Sequence, residues 1–115
     1  LKLISKLSCS LVGQNKNVRI VPGSQARQIY GRDESIEVFA CNYGLNESFR
    51  DRIGGSRLRF SGFDEDGNVR MVELPDHPFY VATLFVPQMI STPQTPHPLI
   101  VAYLRAACEF RNAQE

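Results

Sequence analysis

Charge of one sign is missing from this sequence. Its 13 Lys and Arg stand against 12 Asp and Glu, for a formal net charge of +1. The basic residues Arg50, Arg52, Arg57, Arg59 and Arg70 are scattered. A nucleic-acid-binding domain carries a basic stripe or patch, so no nucleic-acid partner is expected. A long hydrophobic run is missing too. The apolar stretch Phe79 to Val86 holds 8 residues, far short of the roughly 20 that a membrane helix needs. No membrane span or anchor is expected, and the first residues carry no secretory pattern. Cysteine is scarce. The 3 cysteines, Cys9, Cys41 and Cys108, have neither metal-ligand nor redox-pair spacing. An odd count without a signal sequence fits free thiols in a reducing compartment, so a cytoplasmic location without metal or other cofactor is expected. Repeats, low-complexity tracts and linkers are also absent.

What is present is ordinary globular composition, 43% hydrophobic and 22% charged over 115 residues. That length makes one domain. Residue 1 is Leu, and LKLISKLSCSLVG reads as interior sequence, so the expectation is a piece of a longer chain, bounded by cloning or by cleavage.

Local signals order the elements. Val18 to Val21 reads as a short strand broken by Pro22-Gly23. Ser24 is placed to cap a helix that Gly31 stops. From Ser35 to Cys41, Ile36, Val38 and Ala40 alternate with Glu37, Phe39 and Cys41, the pattern of a strand with one mixed face. Asn46 caps a short helix that Gly54-Gly55 ends. Arg57 to Phe60 has a two-residue period that points Leu58 and Phe60 inward. Asp66-Gly67 signals a hairpin to Val69–Leu74. Phe79 to Val86 reads as a buried central strand stopped by Pro87. A Pro-rich loop, STPQTPHP, leads to a helix opened by Pro98. Leu99, Ile100, Tyr103, Leu104, Ala107 and Cys108 recur at helical spacing, so that helix should lay one face on the sheet and end near Phe110, with Cys108 packed. The class is an α/β layer structure with a mixed sheet, a β-hairpin and a final packed helix.

Ligands and catalysts of open α/β folds gather at the carboxyl ends of strands. Here that edge is Val86, Pro87 and Gln88, and none of them can act as a base near neutral pH. The surrounding residues carry a resemblance. ELPDHPFYVATLFVPQMISTP, followed by HPL, resembles the end of the class I glutamine amidotransferase domain of CTP synthases, a flavodoxin-like fold. Glu37 to Asn46 (EVFACNYGLN) lies over the family pattern E-R-H-R-H-R-Y-E-V-N and keeps Glu37, Tyr43 and Asn46. LSCSLVG, CNYGLN, GFDEDG and HPFYVATLFVP are similar to a divergent group described as CTP synthase C-terminal region-related proteins. The resemblance covers essentially the whole chain and implies the C-terminal portion of the domain. The N-terminal half, with the nucleophile elbow, would lie outside it.

The resemblance also locates the family's functional residues. The triad His and Glu fall at Val86 and Gln88, and two glutamine-binding arginines fall at Ala40 and Asn42. Loss of a triad histidine typically lowers the rate by about a million-fold. A carboxylate clamp needs guanidinium geometry. The expectation is a degenerate, binding or regulatory module inactive as a glutaminase. Whether the protein is an enzyme stays open, because a Cys in the N-terminal half could serve another acyl, amide or thiol reaction. Cys41, Asn42, Tyr43 and Cys9 are the candidate pocket residues, with a small molecule as a possible ligand. The partner expected for the open face is the chain's own N-terminal half or a second copy. His77 is assigned to a turn and His97 to a cap or surface role. Asp64, Glu65 and Asp66 are assigned to turn geometry and solvation.

Overall fold

Ser24 sets the first helix as its sequence position demands. Its Oγ accepts the Arg27 N–H at 3.0 Å and donates to the Val21 carbonyl at 2.7 Å. Gly31, at φ 70°, closes the other end with its N–H on the Arg27 carbonyl. Only glycine takes that backbone region at no steric cost. This computed structural model describes residues 3–7 and 10–114. Cys9 lies outside the described residues.

The strands are β1 (Ile4–Lys6), β2 (Gln14–Ile20), β3 (Glu34–Phe39), β4 (Tyr43–Leu45), β5 (Arg59–Phe63), β6 (Val69–Glu73) and β7 (Val81–Thr83). The helices are α1 (Gln25–Tyr30), α2 (Arg50–Gly54) and α3 (Pro98–Gln114), and 3₁₀ turns span Glu47–Phe49 and Pro87–Ile90. Asn46 caps the first of these turns by accepting the Ser48 N–H. β1 and β4 form a small ribbon, and a five-stranded sheet has the order β3-β2-β5-β6-β7. Every described pair is antiparallel. The α/β class, the hairpin and the final helix stand, but the parallel component of the expected mixed sheet is not among these pairs. Although α1 lies between β2 and β3, the chain turns back beside its own strand instead of crossing to a parallel one.

The run Phe79 to Val86 is not one central strand. Its regular part is β7, three half-open residues beside β6. Tyr80 is 46% exposed. The apolar run reflects a change of neighbour along its length, not cover on both faces. Beyond β7 the Leu84 N–H still reaches the Arg70 carbonyl of β6, at 2.9 Å. Two residues later the Val86 N–H reaches the Val38 carbonyl of β3, also at 2.9 Å. The segment therefore curls from one end of the sheet to the other around Phe39, Phe85, Val18, Met71 and Leu11. Phe39 and Phe85 meet edge to face at 5.8 Å, the arrangement that ring quadrupoles favour.

Three further expectations change. On β3 the inward face is Ser35, Glu37 and Phe39, while Ile36 is 65% exposed. In β5 the most buried positions are Ser61 and Gly62, at the bulge, and Phe60 is half-buried. The helix α3 runs on to Gln114 and buries only Leu99. It packs on α1 and the Pro87–Ile90 turn instead of the sheet. Because α1 holds that place, Tyr103, Leu104, Cys108 and Phe110 are exposed. No helix among the described residues is long and apolar enough to cross a membrane.

Glu73 fixes α1 to the sheet. Its carboxylate, 3% exposed, accepts the Gln25 and Ala26 N–H groups at 2.8 and 3.0 Å. These are orphan donors of the first turn, and a negative charge there complements the helix dipole. We expect Glu73→Ala to lower stability by about 2 kcal/mol, the scale of hydrogen bonds to a charged group. Urea unfolding followed by circular dichroism checks this.

Candidate functional site

The end of β3 and the segment after β7 meet, which sets Val86 beside Val38 and Cys41 beside Leu84. Val86 is held to Val38 as described. Cys41, half-buried, lies with Sγ 3.4 Å from the Leu84 carbonyl and 3.3 Å from the Tyr43 carbonyl. Either oxygen can accept the thiol proton. The backbone around it is tied down by the Leu7 N–H on the Asn42 carbonyl at 2.7 Å and the Leu11 N–H on the Cys41 carbonyl at 3.2 Å. Tyr43 opens β4 opposite Lys6 and is 52% exposed. Asn42 and Ala40 are exposed as well.

Pro87 starts a 3₁₀ turn in which the Met89 N–H bonds the Val86 carbonyl at 3.1 Å. Gln88 is exposed, and its carbonyl accepts the Ser91 N–H at 3.4 Å. The edge thus offers a neutral amide, an isopropyl group and a thiol with two carbonyl neighbours. Hydrogen bonding to a neutral ligand is within its reach. Proton abstraction at neutral pH is not, because no imidazole or carboxylate stands at these positions.

The chain has 2 histidines. His77 is exposed in the turn before Phe79, with Nδ1 2.9 Å from the Phe79 carbonyl and 3.2 Å from the Phe79 nitrogen. His97 is 3% exposed and belongs to a buried polar cluster that the sequence reading did not assemble. Its Nε2 lies 2.9 Å from both Glu37 oxygens. Glu37, fully buried, also accepts from Tyr30 Oη at 2.6 Å and Ser35 Oγ at 3.1 Å. Arg32 in turn donates to Ser35 Oγ at 3.3 Å. The signal for this cluster was on β3 itself: a glutamate between Ser35 and Phe39 on one face can be buried only if donors surround it. The cap role expected of His97 is present, since its Nδ1 accepts the Leu99 N–H at 3.1 Å.

Burial, then the hydrogen bond to Glu37 and its charge, push the Tyr30 phenol far above the ordinary range for tyrosine. A raised folded-state value favours the neutral phenol. Its contribution is complete below the unfolded value of about 10 and is lost as pH rises beyond it. We expect the wild type to lose stability more steeply than Tyr30→Phe over that alkaline range, in urea titrations at several pH values.

Among the described residues no three His, Cys, Asp or Glu side chains converge as metal ligands. An apolar cavity of about 210 Å³ opens on the outer side of β6 and β7, walled in part by Ile4, Leu45, Val72 and Leu84.

No protein-family model matches the chain. It is 43% identical over 99 residues to the CTP synthase of Saccharopolyspora erythraea, covering 84% of this chain and 17% of that protein. It is 42% identical over 91 residues to the CTP synthase of Rhodospirillum centenum, covering 78% and 17%. It is 36% identical over 99 residues to the CTP synthase of Archaeoglobus fulgidus, covering 85% and 19%. The chain therefore spans less than a fifth of the length of these curated relatives. In structure it resembles the glutaminase domain of Trypanosoma brucei CTPS, solved with bound acivicin. The TM-score is 0.84 at 24% identity, over 93% of this chain and 46% of that one. The chain therefore has the fold of that glutaminase domain and is a glutamine amidotransferase-like domain related to CTP synthase.

Proposed function

We propose that this chain is the C-terminal portion of a CTP synthase-related amidotransferase-like domain without glutaminase activity, which serves as a binding or regulatory module. One observation carries the reading: Val86 and Gln88 occupy the strand end where the amidotransferase pattern has His and Glu. Val86 there acts in the fold, bonding Val38 through its N–H. Two features add support. Ala40 and Asn42, at the positions of the family's glutamine-binding arginines, are exposed and carry no charge. Ile4 is exposed at the apolar cavity that Leu84 also lines, and such apolar surface calls for cover. The occupant of that surface is the preceding half of the same domain or a second copy, and the compartment is the cytoplasm.

Glutamine recognition tests this reading. Calorimetric titration of the full-length protein with glutamine is expected to give no saturable heat up to millimolar concentration. Saturable glutamine binding lost on Asn42→Ala would overturn it.

A further inference from the structure

The buried cluster around His97 does more than fill the core, because its two ring nitrogens face different elements. Nδ1 accepts the Leu99 N–H of α3 at 3.1 Å. A nitrogen that accepts carries no proton. Nε2 lies 2.9 Å from both oxygens of Glu37, which already takes the hydroxyl protons of Tyr30 and Ser35. The proton of a neutral imidazole must therefore sit on Nε2 and point at Glu37. His97 is the N-cap of α3 by geometry: its carbonyl accepts the Ile100 and Val101 N–H groups at 3.0 and 3.1 Å. Its side chain satisfies the N–H of the second helical residue, as capping side chains do.

We propose that His97 is a proton-sensitive coupling between β3 and α3. In the neutral Nε2–H form it ties Glu37 to the first turn of the helix. A second proton must enter at Nδ1, where it meets the Leu99 N–H donor to donor. The cap is then lost, and a positive charge stands at the positive end of the helix dipole.

The groups that face the ring from the elements around it are few. From β3 comes the Glu37 carboxylate, with Ser35 beside it. From α1 comes the Tyr30 hydroxyl, in edge contact with the ring at 5.5 Å between centroids. Arg32 reaches the cluster only through Ser35. The preceding loop gives the neutral Ser91 Oγ, which accepts the His97 N–H at 2.9 Å. Glu37 therefore holds the imidazolium in place while α3 loses its cap. The outcome of protonation is a freed first turn, with Leu99 leaving the core and the α1–α3 contact loosening.

Nuclear magnetic resonance on the full chain tests it. At neutral pH the imidazole ¹⁵N spectrum is expected to show His97 protonated at Nε2 and bare at Nδ1. As the pH is lowered from neutral, the exchange protection of the Leu99 amide, corrected for intrinsic rates, should fall. The slope expected for one linked proton is about tenfold per pH unit. Val18, in the core of β2, should keep its protection. His97→Asn keeps a capping acceptor but cannot titrate, so its Leu99 protection should not change over the same range. An Nδ1–H tautomer at neutral pH would overturn the proposal, as would protonation of His97 that leaves Leu99 protected. The wild-type spectra decide the matter even where the variant fails to fold.

Discussion

Asp64→Ala is expected to destabilise the protein by about 3–5 kcal/mol, the range found when one partner of a buried ion pair is removed. Asp64 is fully buried and Arg70 is 4% exposed. Arg70 Nε meets Asp64 Oδ2 at 3.0 Å, with its guanidinium 5.7 Å from the centre of the Phe39 ring. The carboxylate also builds the hairpin. Oδ1 accepts the Asp66 and Asn68 N–H groups at 2.9 and 3.0 Å, and Oδ2 accepts the Asn68 amide at 3.3 Å. Removing it leaves a guanidinium charge stranded in the interior and three turn donors unmet. Arg70→Met is the milder change, because Asp64 keeps its three turn donors. The double variant Asp64→Ala/Arg70→Met should then be more stable than Asp64→Ala alone, a non-additivity that a double-mutant cycle reads directly. Equal losses for the two single changes would contradict this account.

The same site makes an acid prediction. Burial pushes the Asp64 carboxyl up, but the Asn68 N–H, the Arg70 hydrogen bond and charge, and the Asn68 amide outweigh it. The carboxyl is held below the usual carboxylate range. A lowered folded-state value gives stability that is complete above the unfolded value of about 3.9 and is lost as pH falls through the folded one. The Asp64→Ala protein should lack this part of the acid slope.

Local chemistry made much of the fold legible. Ser24 and Gly31 delimit α1, Asn46 caps its short helix, and Asp66-Gly67 turns β5 into β6, with Gly67 at φ 82°. Each of these acts within about four residues, where sequence order and spatial order agree. The errors lie where tertiary neighbours decide. The run ending at Val86 is apolar because it passes from β6 to β3 while crossing the core at Phe85. The α3 stripe has helical period, yet α1 already holds the place it was expected to fill.

Glu37 and His97 stand 60 residues apart, so no local pattern could pair them. The acidic run Asp64, Glu65 and Asp66 points to a solvated turn, yet Asp64 is buried. Its burial comes from Arg70, on the next strand. The candidate site was legible only through motif likeness. The pairing of Val38 with Val86 and of Cys41 with Leu84 then gave that likeness a physical location.

The second large effect concerns catalysis. A glutaminase thiol needs an imidazole within hydrogen-bond reach and a carboxylate to orient that imidazole. At this edge the side chains are an isopropyl group and an amide. The two histidines are committed elsewhere, His77 in an exposed turn and His97 against Glu37 and Leu99. Without the histidine the expected loss is on the order of a million-fold. The edge is tied by its backbone, Val86 to Val38 and Leu84 to Arg70.

Glutamate release from glutamine by the full-length protein is the most direct test of that claim. The account predicts a rate indistinguishable from the protein-free control, at any pH from mildly acidic to mildly alkaline. Robust, saturable glutamate release that survives removal of trace amidotransferases would contradict it.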